Sequence, residues 1–180
     1  MRQFALSAIG RDRPGIVAAV SRVLLAHGIN VEDSQMSILR GHFTMTLIVA
    51  AGERASSDEL RVDLARVGRD LGLEAISLSE VAELPGPGTP QASHIVSVYG
   101  ADHPGIVHAV SATLAGCDVN ISALTTRLVG EDRGEPLYVM IMEVAAPETL
   151  DLDGLAQILE PIGLNEGVDV SVRVLEQDAL

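Results

Sequence analysis

The chain has 180 residues, enough for one ordinary domain or two small ones, and 47% of them are apolar, which excludes a disordered chain. A formal charge of −13 excludes a basic nucleic-acid-binding module, because affinity for DNA rests on Lys and Arg neutralising phosphates. Lysine is absent, which removes Schiff-base catalysis, a pyridoxal-phosphate anchor and the lysine of a phosphate-binding loop.

Phe4, Leu6 and Ala8 alternate with polar or small residues and predict a first strand. Pro14 then predicts a helix start, and Ile16, Val17, Val20, Val23 and Leu24 form its apolar stripe, with Gly28 as a left-handed stop. Residues 31–40 lead through a tight Gly41-His42 turn into Phe43, Met45, Leu47 and Val49, which alternate with Thr44, Thr46 and Ile48. Leu60, Leu64, Val67 and Leu71 make a second helical stripe ended by Gly72, and residues 75–81 make a last strand.

The same order then repeats. A shift of 90 residues lays Gly10–Val31 on Gly100–Ile121 without a gap, with eleven identities in 22 positions. Residues 95–99 form the strand, Ile106 to Leu114 the helix, and Asp118 stands where Gly28 stands in the first copy. The second hairpin runs longer, through residues 130–136. Leu152, Leu155, Leu159 and Ile162 predict the second helix, with Pro161 and Gly163 ending it, and Val168, Val170, Val172 and Val174 the last strand.

A Pro/Gly-rich stretch at 84–93 separates the copies, so the predicted domains are 1–83 and 94–180. The order βαββαβ, twice, predicts an α+β protein of two ferredoxin-like sandwiches in tandem. The helix-free sheet faces are expected to carry Phe43, Met45, Leu47 and Val49, and on that basis to drive a homodimer. The acids concentrate in the second copy: residues 85–180 hold three Arg and fourteen acids, a net −11, against nine Arg and eleven acids, a net −2, in residues 1–84. The single Cys117 excludes an internal disulfide. The N-terminal apolar stretch is too short and too alternating for a signal peptide, and no run approaches the roughly 18 apolar residues of a membrane span, so a cytoplasmic location without membrane contact is expected.

Shared positions concentrate at two places that the fold is expected to bring together, Gly10 to Val17 with Gly100 to Val107, and Gly28 to Val31 with Asp118 to Ile121. A helix start offers unpaired N–H groups and a positive dipole end. Gly15 and Gly105 have no Cβ, so a ligand carboxylate can reach the N–H groups of Gly15, Ile16 and Val17 or of Gly105, Ile106 and Val107. Asp12 or Asp102 would hold an ammonium, and Asn30 or Asn120 offers both a donor and an acceptor. Arg13 and His103, Pro14 and Pro104 complete the two loops. A purely structural use is equally consistent: Asp12 as helix cap, Pro14 as helix starter, Gly15 for close packing, Asn30 as a turn pin.

Asp-x-Pro-Gly-Ile-Val followed by Gly-Ile-Asn-Val, inside βαββαβ, resembles the ACT domain, a regulatory module that binds amino acids. Two such copies resemble the glycine cleavage system transcriptional repressor family over residues 3–176. The resemblance implies a non-catalytic regulator of glycine and one-carbon metabolism. It would take a small amino acid, glycine or serine first, and act through a protein partner, a transcription factor or an enzyme, without touching nucleic acid. A free-standing regulatory subunit of an amino-acid metabolic enzyme is the alternative. No cofactor and no metal are expected: His103 and His108 lie off one helical face and lack further ligands.

Overall fold

Apolar alternation sets the strands and glycines set their ends in this computed structural model, which describes residues 2–52, 56–82, 90–130 and 136–175. The chain divides into two compact units, Met1–Pro85 and Gly86–Leu180. Residues 84–89 of the expected linker and 131–135 of the second hairpin lie outside the described residues.

The first unit runs β1 (Arg2–Arg11), α1 (Ile16–Ala26), β2 (Asn30–Leu39), β3 (His42–Ala51), α2 (Ser57–Leu71) and β4 (Leu73–Val81). The second runs β5 (His94–Ala101), α3 (Ile106–Gly116), β6 (Asn120–Val129), β7 (Leu137–Ala145), α4 (Leu152–Glu166) and β8 (Val168–Val174). Each forms one four-stranded sheet, ordered β2-β3-β1-β4 and β6-β7-β5-β8, and every pairing is antiparallel. This is the predicted tandem ferredoxin-like α+β fold.

Register decides which face of each sheet is buried. Phe4, Leu6 and Ala8 of β1 stand opposite Val49, Leu47 and Met45 of β3. All six lie in one core with Ile16, Val20 and Leu24 of α1 and Leu60 and Leu64 of α2. Burying each large side chain stabilises the unit by about 1.5–3 kcal/mol. The expectation for the helix-free face is therefore corrected: Phe43, Met45, Leu47 and Val49 pack under the helices, and β3 turns His42, Thr44, Thr46 and Ile48 the other way. Alternation gives the period of a strand, and the more apolar phase takes the covered side.

The turns follow from φ angles. Arg40 (φ 50°) and Gly41 (φ 83°) form the β2–β3 turn, one residue earlier than expected, and two positive φ values match the strand twist as a type I′ turn does. Asp118 adopts φ 56°, reproducing the left-handed stop of Gly28 at φ 65°. Helix α4 corrects a second expectation. It passes through Pro161 and Gly163 and ends at Glu166, with Gly167 as its left-handed cap, the counterpart of Gly72 in α2. Asp151 caps its start by accepting from the Gly154 N–H at 2.9 Å.

Among the described residues, no helix is long and apolar enough to cross a membrane. Nor does any group of three His, Cys, Asp or Glu side chains come together there to hold a metal.

Candidate ligand-binding loops

The loop between β1 and α1 is held at both sides. The Asp12 N–H donates to the Gly41 carbonyl at 2.9 Å, which ties it to the hairpin turn. The Arg13 guanidinium donates to the Leu71 carbonyl at 3.2 Å, which ties it to the end of α2. Pro14 precedes the helix instead of starting it. Gly15 is the N-cap residue, at φ 99° and ψ −7°, and its carbonyl accepts the first helical bond from Ala19 at 2.9 Å.

No side chain caps α1. Asp12 is therefore not the helix cap, and its exposed carboxylate accepts no hydrogen bond among the described residues. Nothing lies within 4 Å of the place a Gly15 Cβ would occupy, so the space beside Gly15 is open, and no side chain takes up the first N–H groups of α1. Ile16 is buried and anchors the turn, whereas Val17 is half exposed beside it.

The second unit builds the same loop with different chemistry. Gly105 caps α3 at φ 120° and its carbonyl accepts from Ala109 at 2.8 Å, again with no side-chain cap. His103 takes the place of Arg13 and makes the equivalent contact: its Nε2 lies 2.8 Å from the Glu166 carbonyl, at the end of α4. Its Nδ1 lies 3.2 Å from the Pro104 carbonyl and 3.8 Å from the Glu166 carboxylate. Only the doubly protonated ring donates to both carbonyls, and these bonds, Glu166 first, hold its pKa above the ordinary histidine value. The Glu166 carboxylate also sits 3.5 Å from where a Gly105 Cβ would lie. The first loop has Leu71 at that position and no acid.

A raised folded pKa has a definite consequence for pH. The stabilisation from His103 is complete below the ordinary histidine pKa of about 6.5 and is lost as pH rises through the raised folded value. The second unit's melting temperature is expected to fall across that range. In His103→Arg, which copies the first unit, this dependence disappears. Calorimetry in a pH series checks both, and an unchanged pH dependence in the variant would show that His103 is not the titrating group.

Asn30 and Asn120 occupy the other end of each sheet. Asn30 pairs with Ala50, and Ala50 with Gln3, whereas the loop follows Arg11 beside His42. Eight residues of β1, about 27 Å of strand, separate the two ends. The expected convergence of loop and asparagine within one unit is therefore corrected: α1 carries the chain back along the sheet before β2 begins. Asn120 pairs with Ala145 in the same way. Sequence reasoning also missed Tyr138. Its ring lies in the second core with the hydroxyl 3.6 Å from the Met140 sulfur, and burial raises its pKa.

Known proteins match this architecture. The ACT-domain family matches residues 2–76. A UPF0237 protein of Methanopyrus kandleri is 40% identical over 77 residues, covering 42% of this chain and 86% of that protein. The glycine cleavage system transcriptional repressor of Escherichia coli is 27% identical over 172 residues, covering 94% of this chain and 88% of the repressor. A crystal structure of an unknown protein from Galdieria sulphuraria superposes with a TM-score of 0.78 at 28% identity, covering 97% of this chain and 99% of that one. With the βαββαβ order and the Pro-Gly-Ile-Val helix start in both units, this chain belongs to the ACT-domain family as a tandem ACT-domain protein.

Proposed function

We propose that this protein is a non-catalytic, cytoplasmic regulator that binds a small amino acid, glycine or serine first, at the first-unit loop, and thereby controls a partner protein in glycine or one-carbon metabolism. The observation that carries the reading is the uncapped start of α1, open beside Gly15, next to an exposed Asp12 carboxylate that accepts no hydrogen bond among the described residues. A ligand carboxylate satisfies the orphan N–H groups, and Asp12 receives the ammonium. The resemblance to a named transcriptional repressor over most of both chains supports a regulatory role. A net charge of −13 with no lysine favours action through a protein over contact with DNA. In the second loop the Glu166 carboxylate, 3.5 Å from where a Gly105 Cβ would lie, repels an anionic ligand, so the first loop is the stronger site.

A thermal-shift screen of the full chain against the twenty amino acids tests this. A ligand at about 100 times its Kd should stabilise by roughly 2.7 kcal/mol. No shift with any of them would sink the amino-acid reading.

The reading includes a homodimer. Strand β2 is an edge of ten residues with one side unpaired. On it Met36, Ile38 and Leu39 are 48–63% exposed. Antiparallel addition of β2 from a second copy sets Asn30 of one copy at the Leu39 end of the other, beside the Asp12 loop. That returns the asparagine to the site. Ile38→Glu is expected to give a monomer by light scattering and to weaken glycine binding in the same sample. A dimer that survives the change would place the interface elsewhere.

A further inference from the structure

The two units differ at the edge formed by their last strand. In the first unit Arg61 of α2 reaches over β4, and its Nε and Nη2 lie 3.3 and 3.2 Å from the outward carbonyl of Leu78. That strand edge is closed by a guanidinium, and only about 260 Å³ of space remains beside it. On the register that matches Gly72 with Gly167 and Gly68 with Gly163, Arg61 falls on Ala156. Leu78 pairs with Leu6 as Val172 pairs with Val96, so Val172 is the equivalent of Leu78.

Among the described residues no side chain donates to Val172. The Leu175 N–H bonds inward to the Ser93 carbonyl, so alternate residues Val170 and Val172 turn their backbone groups to the open side, while Val168 turns its carbonyl toward Gly163 of α4. A groove of about 760 Å³ runs along α4 beside the Val168–Val170 part of this edge, and Val172 continues the edge just beyond it. Its walls carry Asp153, Glu160 and Asp169, and no basic residue lines it. Gly163 forms its floor: α4 approaches so closely there that a Cβ would lie 2.8 Å from the Val168 carbonyl.

We propose that this groove docks an extended cationic segment of a partner protein. The segment adds to β8 as a fifth strand, and its Arg or Lys side chains meet Asp153, Glu160 and Asp169. Unpaired backbone groups supply the affinity of strand addition, and a wall with only negative charge selects the sign of the guest. A second copy of this chain is a poor guest, because it carries a net charge of −13 and no lysine. The inference rests on the second unit's edge and needs no ligand at the Asp12 loop, so failure of either reading leaves the other standing.

The test uses the full chain with acetyl-Arg-Val-Arg-Val-Arg-Val-amide, and with the same peptide methylated at every peptide nitrogen, which keeps the charge and removes the peptide N–H donors that a strand needs. Hydrogen exchange is expected to slow at Val170 and Val172 with the first peptide and not with the second. Ala156→Arg, which rebuilds the clamp of the first unit, and Asp153→Asn with Glu160→Gln should each weaken binding by roughly tenfold. The double variant changes only exposed side chains, so it decides the matter even where Ala156→Arg fails to fold. Equal binding of the N-methylated peptide, or unchanged affinity in the double variant, would overturn the proposal. Protection of the same two amides in peptide-free protein, rising with its concentration, would overturn it too, by giving the edge to a second copy.

Discussion

Replacing Gly163 by alanine should destabilise the second unit by about 1–3 kcal/mol, while the same change at Gly116 should stabilise it by about 0.5–1 kcal/mol. Both residues are helical, and alanine is the better helix former at each. Space reverses the sign. A Cβ at Gly163 meets the Val168 carbonyl at 2.8 Å and the Val170 side chain at 3.2 Å, and a backbone oxygen held in a sheet cannot swing away. At Gly116 a Cβ meets nothing within 4 Å. The equivalent Gly68 faces the Cγ2 methyl of Ile76 at 2.9 Å, a side-chain atom in place of a backbone oxygen, so Gly68→Ala should cost less than Gly163→Ala. Urea unfolding of the three variants settles the order. A stabilised Gly163→Ala would mean that α4 does not lie so close to β8.

Asp12→Asn should lower the affinity for glycine by about tenfold or more and leave stability within about 0.5 kcal/mol. A hydrogen bond to a charged group is worth about 1.5–3 kcal/mol, and an exposed carboxylate with no hydrogen-bond partner among the described residues contributes little to folding. Gly15 is the poorer probe. At φ 99° any side chain strains the backbone, by about 1–3 kcal/mol, so lost binding and lost folding would arrive together. Asp102→Asn should matter less, since Glu166 already stands over the second loop. Isothermal titration with glycine and serine distinguishes the variants. Full affinity in Asp12→Asn would remove the ammonium contact from the mechanism.

The repeat, the element order and the fold were legible because they rest on local signals: period-two alternation, period-3.6 stripes, and Gly or Asp at left-handed stops. Gly163 misled for a local reason. Beside Pro161 it looked like the end of a helix, whereas it is the close-packing point of α4 and the stop is Gly167. The face of Phe43 and the distance from Asn30 to the loop depend on pairing and strand order, which adjacent residues do not encode. The shared contact of Arg13 and His103 was hidden in the same way, because nothing in the sequence says that the second helix ends beside the first loop.

Strand β1 sits between β3 and β4, with Gln3 opposite Val81 and Phe4 opposite Glu80. The strand of this unit that leaves the ribosome first thus waits for the one that leaves last. Until residue 81 has emerged, one backbone edge of the central strand stays open, and closing it joins chain ends almost the whole unit apart. Synthesis can therefore seal the first sheet before the second has all its strands. Cross-pairing between two such similar sheets is then limited by the timing of translation.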